Sequence, residues 1–187
     1  MAKNEDQNKV FIDALTQHNV YLQRLATSAV GDLSKAFDEA MSEHSVDILR
    51  ALEGMTDTEK KLFAGGSYTT SRLKSFRDLL VSIAKIIVDT LSPLFRKSGE
   101  DLAQYEGNYT RRLAGEKKDK SNGAKLYALA VAVPFAGGVL AKNIIPKIAT
   151  DTRNKIEQVI RDGVSSGQTN TDIIKRIMGS RDLGYQD

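Results

Sequence analysis

The chain of 187 residues has no cysteine, no tryptophan and three prolines, and aromatic residues make up 6% of it. Without cysteine the protein has no disulfide, no thiolate zinc site and no cysteine nucleophile. The scarcity of proline and aromatic residues favours long helices over a β-sandwich with many turns. At 41% hydrophobic and 27% charged residues, the composition is typical of a globular domain with a real core.

An excess of charge of one sign is also missing. The formal net charge of +3 is too small to indicate a nucleic-acid-binding protein by itself, because the distribution of charge over the folded surface decides that property. Residues 1–7 are polar and lack the apolar stretch of a secretory signal, so export by that route is not expected.

Apolar residues recur at steps of three and four along much of the chain, which is the spacing of amphipathic helices. The first stripe predicts a helix over residues 5–29. Gly31 interrupts the pattern, and a second stripe predicts a helix over residues 33–54. Because a short connection leaves little other choice, these two segments are expected to form an antiparallel helical hairpin.

The strongest apolar stripe begins near Thr69 and continues to Gly115. Pro93 removes one backbone donor in the middle of it, so the pattern predicts either one long bent helix or two helices with a break between Pro93 and Gly99. Before this stripe, Thr56 and Glu59 fit a capping box at the start of a short helix.

Residues 116–125 have no periodicity and many charges, which predicts an exposed basic loop or linker. It would separate an elongated helical domain, residues 1–115, from a small helical lobe, residues 126–187. Residues 126–141 carry no charge, but they are fewer than the roughly twenty residues that a membrane-spanning helix needs. A buried core helix followed by a turn is therefore favoured there.

The last forty residues predict two more helices. Gly163 and Gly167 are expected to end the first, and Thr169 or Asn170 to cap the second. The whole pattern predicts an all-α protein: a helical hairpin, a long bent helix packed on it and a small C-terminal helical lobe.

Few residues suggest catalytic or metal chemistry. His18 and His44 both fall on apolar stripes and could approach each other, but a zinc site needs a third ligand and no spacing such as H-E-x-x-H is present. No phosphate-binding loop, dinucleotide fingerprint or nucleophile motif occurs. We therefore predict no catalytic residue, no cofactor and no metal, and a protein that is not an enzyme.

Two groups of residues are candidates for binding. One is a basic cluster that could contact nucleic-acid phosphates, although a solvated loop is favoured because no aromatic residues interleave with it for stacking on bases. Its members are Arg111, Arg112, Lys117, Lys118, Lys120 and Lys125. The other group consists of aromatic residues that could anchor a protein partner, namely Phe11, Tyr21, Tyr105 and Tyr109.

Three passages are similar to the N-terminal portion of MuF-type minor head proteins, or head morphogenesis proteins, of tailed and especially short-tailed bacteriophages. They are ALTQHNVYLQRLA at residues 14–26, LAQYEGNYTRRLAG at residues 102–115, and the region of residues 134–179, with IEQVIRDGVSSGQTNTDIIKRIMG at its end. They follow one another in the expected order and together span most of the chain. No catalytic residue can be carried over from this resemblance, because the matching passages contain none.

The resemblance implies a structural minor virion protein, made in the host cytoplasm and placed in the capsid interior or at the portal vertex. Its partners would be portal or capsid subunits and further copies of itself, and it would assist head assembly or genome delivery, with possible DNA contact. One alternative is an ejected internal protein that inserts into the host envelope and forms a DNA conduit, the one reading with membrane contact. Another is a small helical DNA-binding or packaging protein.

Overall fold

The structure, a computed structural model, describes residues 2–120, 122–134, 138 and 140–179. For residues 2–8, 10 and 11 it describes the backbone alone. Every regular element in these residues is helical, which confirms the predicted all-α class. The six α-helices are α1 (Ala2–Glu53), α2 (Asp57–Ala64), α3 (Ser71–Leu113), α4 (Gly123–Val131), α5 (Ile144–Ser165) and α6 (Asn170–Met178). A short 3₁₀ helix, Ala141–Asn143, precedes α5.

The predicted hairpin with a break at Gly31 is wrong, because α1 continues through this residue. A glycine in a helix interior costs only about 1 kcal/mol relative to alanine. On the face of α1 opposite Gly31, a half-buried apolar stripe runs past this glycine without a break; it includes Leu25, Ala29 and Leu33. Continuous packing along that stripe outweighs the local penalty.

Helix α3 also continues, through Pro93, so the alternative with two separate helices is wrong. Proline in a helix interior removes one backbone hydrogen bond and crowds the carbonyl four residues earlier, at a cost of about 3 kcal/mol or more. Leu91 immediately before it is buried and Leu94 is half-buried, whereas Pro93 itself is exposed. The apolar stripe thus maintains the helix on both sides of the proline.

The chain divides into two compact units, and each of the two long helices contributes to both. One unit contains Met1–Lys35 and Pro93–Pro134, and the other contains Ala36–Ser92 and Phe135–Asp187. We call the first the tyrosine unit and the second the core unit. The sequence predicted three consecutive parts instead, residues 1–115, 116–125 and 126–187. That division stays a prediction.

The core unit is built around Phe63 of α2. Its ring makes edge contacts with Phe76 of α3, at a centroid distance of 5.3 Å, and with Tyr68, at 5.6 Å. The Arg161 guanidinium lies 5.6 Å from the same ring on the side of α5 and donates a hydrogen bond to the Tyr68 hydroxyl. Phe63 is fully buried, so it joins three elements of this unit.

The predicted capping box at α2 is confirmed. The Thr56 backbone N–H donates to the Glu59 carboxylate over 3.0 Å, and the Glu59 N–H donates to the Thr56 hydroxyl over 3.2 Å. The same carboxylate accepts hydrogen bonds from Thr70 and Arg72. These bonds, the one from Thr56 foremost, lower the pKa of Glu59, because each favours the charged form.

At the C-terminal end, the expectation that Gly163 ends a helix is wrong and the predicted cap at Thr169 is confirmed. Gly163 lies inside α5 and is buried. It packs so closely on α6 that a Cβ atom at this position would collide with Ile173. The turn instead follows Ser165 and contains Gly167, which has a φ of +69°. The Thr169 hydroxyl accepts a hydrogen bond from the Asp172 N–H at the start of α6.

The tyrosine unit contains α4, which packs closely on α3. A Cβ atom on Gly123 would lie 2.6 Å from the Glu100 carbonyl oxygen and 2.9 Å from the Gln104 Cβ, so only glycine allows this approach. For the described part of residues 126–141, the predicted helix followed by a turn is present, but the prediction that this helix is buried is wrong. Helix α4 ends at Val131, and Leu129 and Val133 are both more than 60% exposed.

Candidate functional site

Four ring side chains from two helices meet in the tyrosine unit. His18 and Tyr21 lie three residues apart on α1, and Tyr105 and Tyr109 lie four residues apart on α3, so each pair shares one helical face. Tyr21 packs on Tyr105 and His18 packs on Tyr109, which shows that the two helices are antiparallel here. We call these four residues the tyrosine cluster.

The rings of the tyrosine cluster are stacked. The His18 and Tyr109 ring centroids are 3.7 Å apart at an interplanar angle of 13°, and those of Tyr21 and Tyr105 are 4.0 Å apart at 25°. His18 is also parallel to Tyr105 within 14°, with the centroids 5.5 Å apart. Of these separations, that of His18 and Tyr105 falls in the range of roughly 4.5–7 Å in which aromatic pairs contribute about 0.5–1.5 kcal/mol beyond the area that they bury. The cluster joins α1 and α3 within this unit.

Both nitrogens of His18 have polar neighbours from α3. Its Nδ1 lies 3.2 Å from the Tyr105 hydroxyl, and its Nε2 lies 3.2 Å from the Glu106 carboxylate. The His18 side chain is 11% exposed, and the nearby Glu106 Oε1 is buried. The imidazole is thus held between a phenol and a carboxylate.

The surroundings of Tyr105 favour its neutral form. Removal from water raises the pKa of Tyr105, and the neighbouring Tyr21 and Glu106 raise it further. The phenol therefore keeps its proton while its hydroxyl lies within hydrogen-bonding distance of His18 Nδ1. Glu106 Oε1, although it lies 3.2 Å from His18 Nε2, is a buried oxygen without a hydrogen-bond partner among the described residues.

Three of the four aromatic residues proposed as partner contacts are brought together by the structure. Tyr21 is 44% exposed, and Tyr105 and Tyr109 are half-buried beside it. The side chain of Phe11, the fourth, lies outside the described residues. Sequence reasoning missed His18 as a member of the cluster, although its place on the same stripe as Leu22 and Leu25 was the available signal.

The idea that His18 and His44 approach each other is wrong. They occupy one continuous helix about seven turns apart, and His44 hydrogen-bonds instead to Asp47, one turn along. The described part of the chain contains no group of three or more His, Cys, Asp or Glu residues that could hold a metal ion.

The basic cluster divides into paired and exposed members. Arg111 lies 3.7 Å from both Glu116 and Asp119, and the Arg112 guanidinium lies 5.3 Å from the centroid of the Tyr109 ring. The remaining members are exposed on the loop and at the start of α4; they are Lys117, Lys118, Lys120 and Lys125. An aromatic ring therefore does lie beside one basic side chain, which the linear sequence did not indicate.

The loop that carries these lysines is fastened to α3 by Gln104. The Gln104 side-chain oxygen accepts hydrogen bonds from the Asn122 and Gly123 N–H groups, at 3.0 and 2.9 Å, and its amide donates to the Asp119 carbonyl. Asn108, one turn further along α3, accepts from the Asp119 N–H. Two amide side chains thus place the basic loop beside the C-terminal part of α3.

Apolar exposure is concentrated in the same unit. All eighteen buried apolar residues in the described part of the chain belong to the core unit. The described part of the chain has thirteen exposed large apolar residues, and nine of them belong to the tyrosine unit. These nine are Ile12, Leu15, Val20, Tyr21, Val30, Leu102, Leu113, Leu129 and Val133.

The core unit has a shallow polar groove between α2 and α5. It is lined by residues that include Glu157, Arg161 and Asp162. The Arg161 guanidinium is directed to Tyr68 and Glu157 and covers the Phe63 ring. The bond to Tyr68 therefore joins α5 to the segment between α2 and α3, whereas the bond to Glu157 lies within α5.

No protein-family model, curated protein sequence or solved structure matches this chain. Among the described residues, no helix combines the length and the apolar character needed to cross a membrane. The geometry of the stacked cluster, together with the exposed apolar residues of the same unit, is therefore the basis for a functional proposal.

Proposed function

We propose that this chain is a non-catalytic assembly protein that binds a larger protein partner through its tyrosine unit. The observation that carries the proposal is the unequal distribution of apolar side chains, buried in the core unit and exposed in the tyrosine unit. Large exposed apolar patches on a folded protein are typical of protein interaction sites. The core unit supplies stability, and the tyrosine unit supplies the contact surface.

The tyrosine cluster suits the role of an anchor. Tyrosine combines a large contact area with few rotatable bonds and is enriched among the residues that dominate interface energies. The stacking of Tyr21 on Tyr105 and the hydrogen bond between Tyr105 and His18 hold these rings before any partner arrives. A preordered anchor loses little conformational entropy on binding.

The similarity to MuF-type minor head proteins suggests which partner this is. We place the chain in the virion of a tailed phage, in the capsid interior or at the portal vertex, where it binds portal or capsid subunits and assists head assembly or genome delivery. Several copies per particle would form a homo-oligomer in the assembled head.

Mass-spectrometric counting of the chain in purified phage particles tests this proposal. Tyr21→Ala and Leu113→Ser remove exposed apolar groups of the tyrosine unit, and the matched controls Val46→Ser and Val81→Ser remove exposed apolar groups of the core unit. We expect the first pair to lower the copy number at least fivefold and the controls to leave it unchanged. Circular dichroism of each purified variant verifies that it is folded.

Two results would contradict the proposal. Absence of the unmodified chain from purified virions would remove the virion assignment. Equal incorporation of all four variants would remove the tyrosine unit as the docking surface, even if the protein were present in particles.

A second candidate function, DNA contact, is supported by one observation. Arg112 lies over Tyr109, beside a loop with exposed lysines that Gln104 and Asn108 hold in place. Phosphate contacts would make affinity fall steeply with salt. Replacing Lys117, Lys118 and Lys120 by glutamine should lower affinity for duplex DNA and flatten its salt dependence, and affinity that does not change with salt would exclude this function.

A further inference from the structure

The positive charge of the chain is concentrated in the tyrosine unit. This unit contains twelve Lys and Arg residues against nine Asp and Glu residues, whereas the core unit contains fifteen of each, so the whole formal excess of +3 falls in the tyrosine unit. Residues 111–125 alone carry six basic residues and two acidic ones, Glu116 and Asp119. Both acidic side chains lie 3.7 Å from Arg111. The charge of this segment therefore suits a polyanion.

Arg112 lies between the basic loop and the tyrosine cluster. The loop is fastened to α3 at Gln104 and Asn108, and Tyr105 and Tyr109 lie on the adjoining side of this helix, against α1. Residues follow one another about every 100° around a helix, which places Arg112 between these two sides of α3. The basic loop, this arginine and the rings are therefore neighbours on one surface of the tyrosine unit.

The charge of Arg112 acts on two rings of the tyrosine cluster. Its guanidinium lies 5.3 Å from the centroid of the Tyr109 ring. Removal from water is the main reason that the pKa of Tyr105 is raised, and the positive charge of Arg112 opposes this rise, which shows that the guanidinium is also close to Tyr105. Arg112 is exposed, so it can contact a phosphate while it stays beside the rings.

Tyr21 extends the stack of rings to the surface. Its ring packs on Tyr105 at a centroid distance of 4.0 Å, and among the described residues no second ring stacks on it. The residue is 44% exposed. An exposed ring that already belongs to a parallel stack is a place where a planar base can continue the stack.

We propose that the tyrosine cluster and the basic cluster together bind single-stranded nucleic acid, with a base stacked on Tyr21 and with Arg112 and the exposed lysines on the phosphates. Proteins that bind single strands combine aromatic rings and a basic surface in this way. A duplex keeps its bases stacked inside, so a site that depends on an exposed ring favours single strands. This site rests on the DNA contact proposed as a second candidate function and names single strands as its ligand.

Fluorescence anisotropy of the full chain with three labelled probes tests this site. The probes are an oligothymidylate of about twenty nucleotides, which is longer than most single-strand binding sites, an oligouridylate and a duplex of the same length. At about 50 mM salt, we expect at least one of the two single strands to bind at least about fivefold more tightly than the duplex, and the tighter of the two identifies the ligand as DNA or RNA. Because the chain has no tryptophan, quenching of its tyrosine fluorescence reports the stacking of bases.

Four variants separate the contribution of the ring from that of the charge. Tyr21→Leu keeps an apolar side chain without a ring and should weaken single-strand binding about tenfold, as the loss of one stacked base predicts, whereas Tyr21→Phe should bind normally. Arg112→Gln should reduce the slope of log affinity against log salt by about 0.7. Its matched control is Arg77→Gln, which removes an exposed arginine 5.4 Å from the Tyr68 ring in the core unit and should leave affinity and slope unchanged. Circular dichroism verifies that each variant is folded.

Two outcomes would overturn this inference, and they differ in what they leave standing. Equal affinity for single strands and duplex, with unchanged binding by Tyr21→Leu, would remove the single-strand site, while salt-dependent duplex binding would still support the second candidate function. If none of the three probes binds at low salt, both the single-strand site and the DNA contact are wrong. The tyrosine unit would then be left to a protein partner, which incorporation into virions tests separately.

Discussion

The core unit and the tyrosine unit solve the problem of helix packing in different ways. In the core unit, large side chains such as Phe63, Phe76 and Ile160 are fully or almost fully buried. In the described part of the tyrosine unit no apolar side chain is fully buried, and stacked rings, Gln104 hydrogen bonds and a close glycine contact hold the helices together. The comparison teaches that apolar burial and apolar exposure are concentrated in different parts of the same two long helices.

The largest effect should come from creating a cavity in the core unit. Phe76→Ala removes a ring that is 2% exposed and in contact with Phe63, and it should lower the free energy of unfolding by about 3–5 kcal/mol. Tyr109→Ala in the tyrosine unit should lower it by about 1–2 kcal/mol, because its stacking energy is smaller and its side chain is partly solvated. Urea denaturation followed by circular dichroism measures the free energy of unfolding of both variants. Equal losses in the two variants would contradict the difference between the core unit and the tyrosine unit.

The next effect concerns the close contact between α4 and α3. Gly123→Ala places a methyl group against the Glu100 carbonyl and should lower stability by about 1–3 kcal/mol. Gly31→Ala is the matched control, because nothing lies within 4 Å of a Cβ atom there, and it should raise stability by up to about 1 kcal/mol. Hydrogen exchange of α4 amides should accelerate only in the first variant.

Acid should act on the core unit through Glu59. The pKa of this carboxyl is lowered in the folded protein, so its contribution is present above the unfolded pKa of about 4.3 and is lost as the pH falls through the lower folded value. Glu59→Gln should be less stable than the unmodified chain at pH 7. Their urea midpoints should converge towards pH 3; a constant difference would show that the charge of Glu59 is not responsible.

Alkali should act on the tyrosine unit through Tyr105, with the smallest effect. The pKa of Tyr105 is raised, so its contribution is present below the unfolded pKa of about 10 and is lost as the pH rises through the higher folded value. The pKa of Tyr127 is raised as well, by its removal from water, so ultraviolet titration of tyrosinate should show more than one late-ionising group, and one late group should be missing in Tyr105→Phe. Tyr68→Phe in the core unit is the control and should leave that late group in place.

Local hydrogen bonds were the part of the fold that the sequence predicted best. The capping box of Thr56 and Glu59 and the cap at Thr169 are confirmed, because each depends on residues only three positions apart. Predictions based on single glycines had mixed outcomes, since Gly167 does lie in the turn that ends α5. Gly31 and Gly163 lie inside helices, one on an open face and the other under Ile173, and the identity of the residue does not distinguish these from a helix end.

The candidate site was only partly predictable. Tyr21, Tyr105 and Tyr109 were proposed as separate anchors, and the structure brings them together with His18. That assembly requires contacts between residues more than eighty positions apart along the chain, which depend on how α1 pairs with α3. The role of Gln104 was missed for the same reason, since a glutamine on a helix gives no sign of which distant backbone groups it will meet.

By itself, the sequence determined that this protein is helical, where its caps lie and which faces of its helices are apolar, because helix formation and capping depend on neighbours within about one turn. Only the tertiary structure decided which apolar faces are buried in the core unit and which remain exposed in the tyrosine unit. The physical reason is that burial depends on the elements that fold back from distant parts of the chain. An apolar stripe looks the same in the sequence whether its partner is another part of the molecule or another molecule.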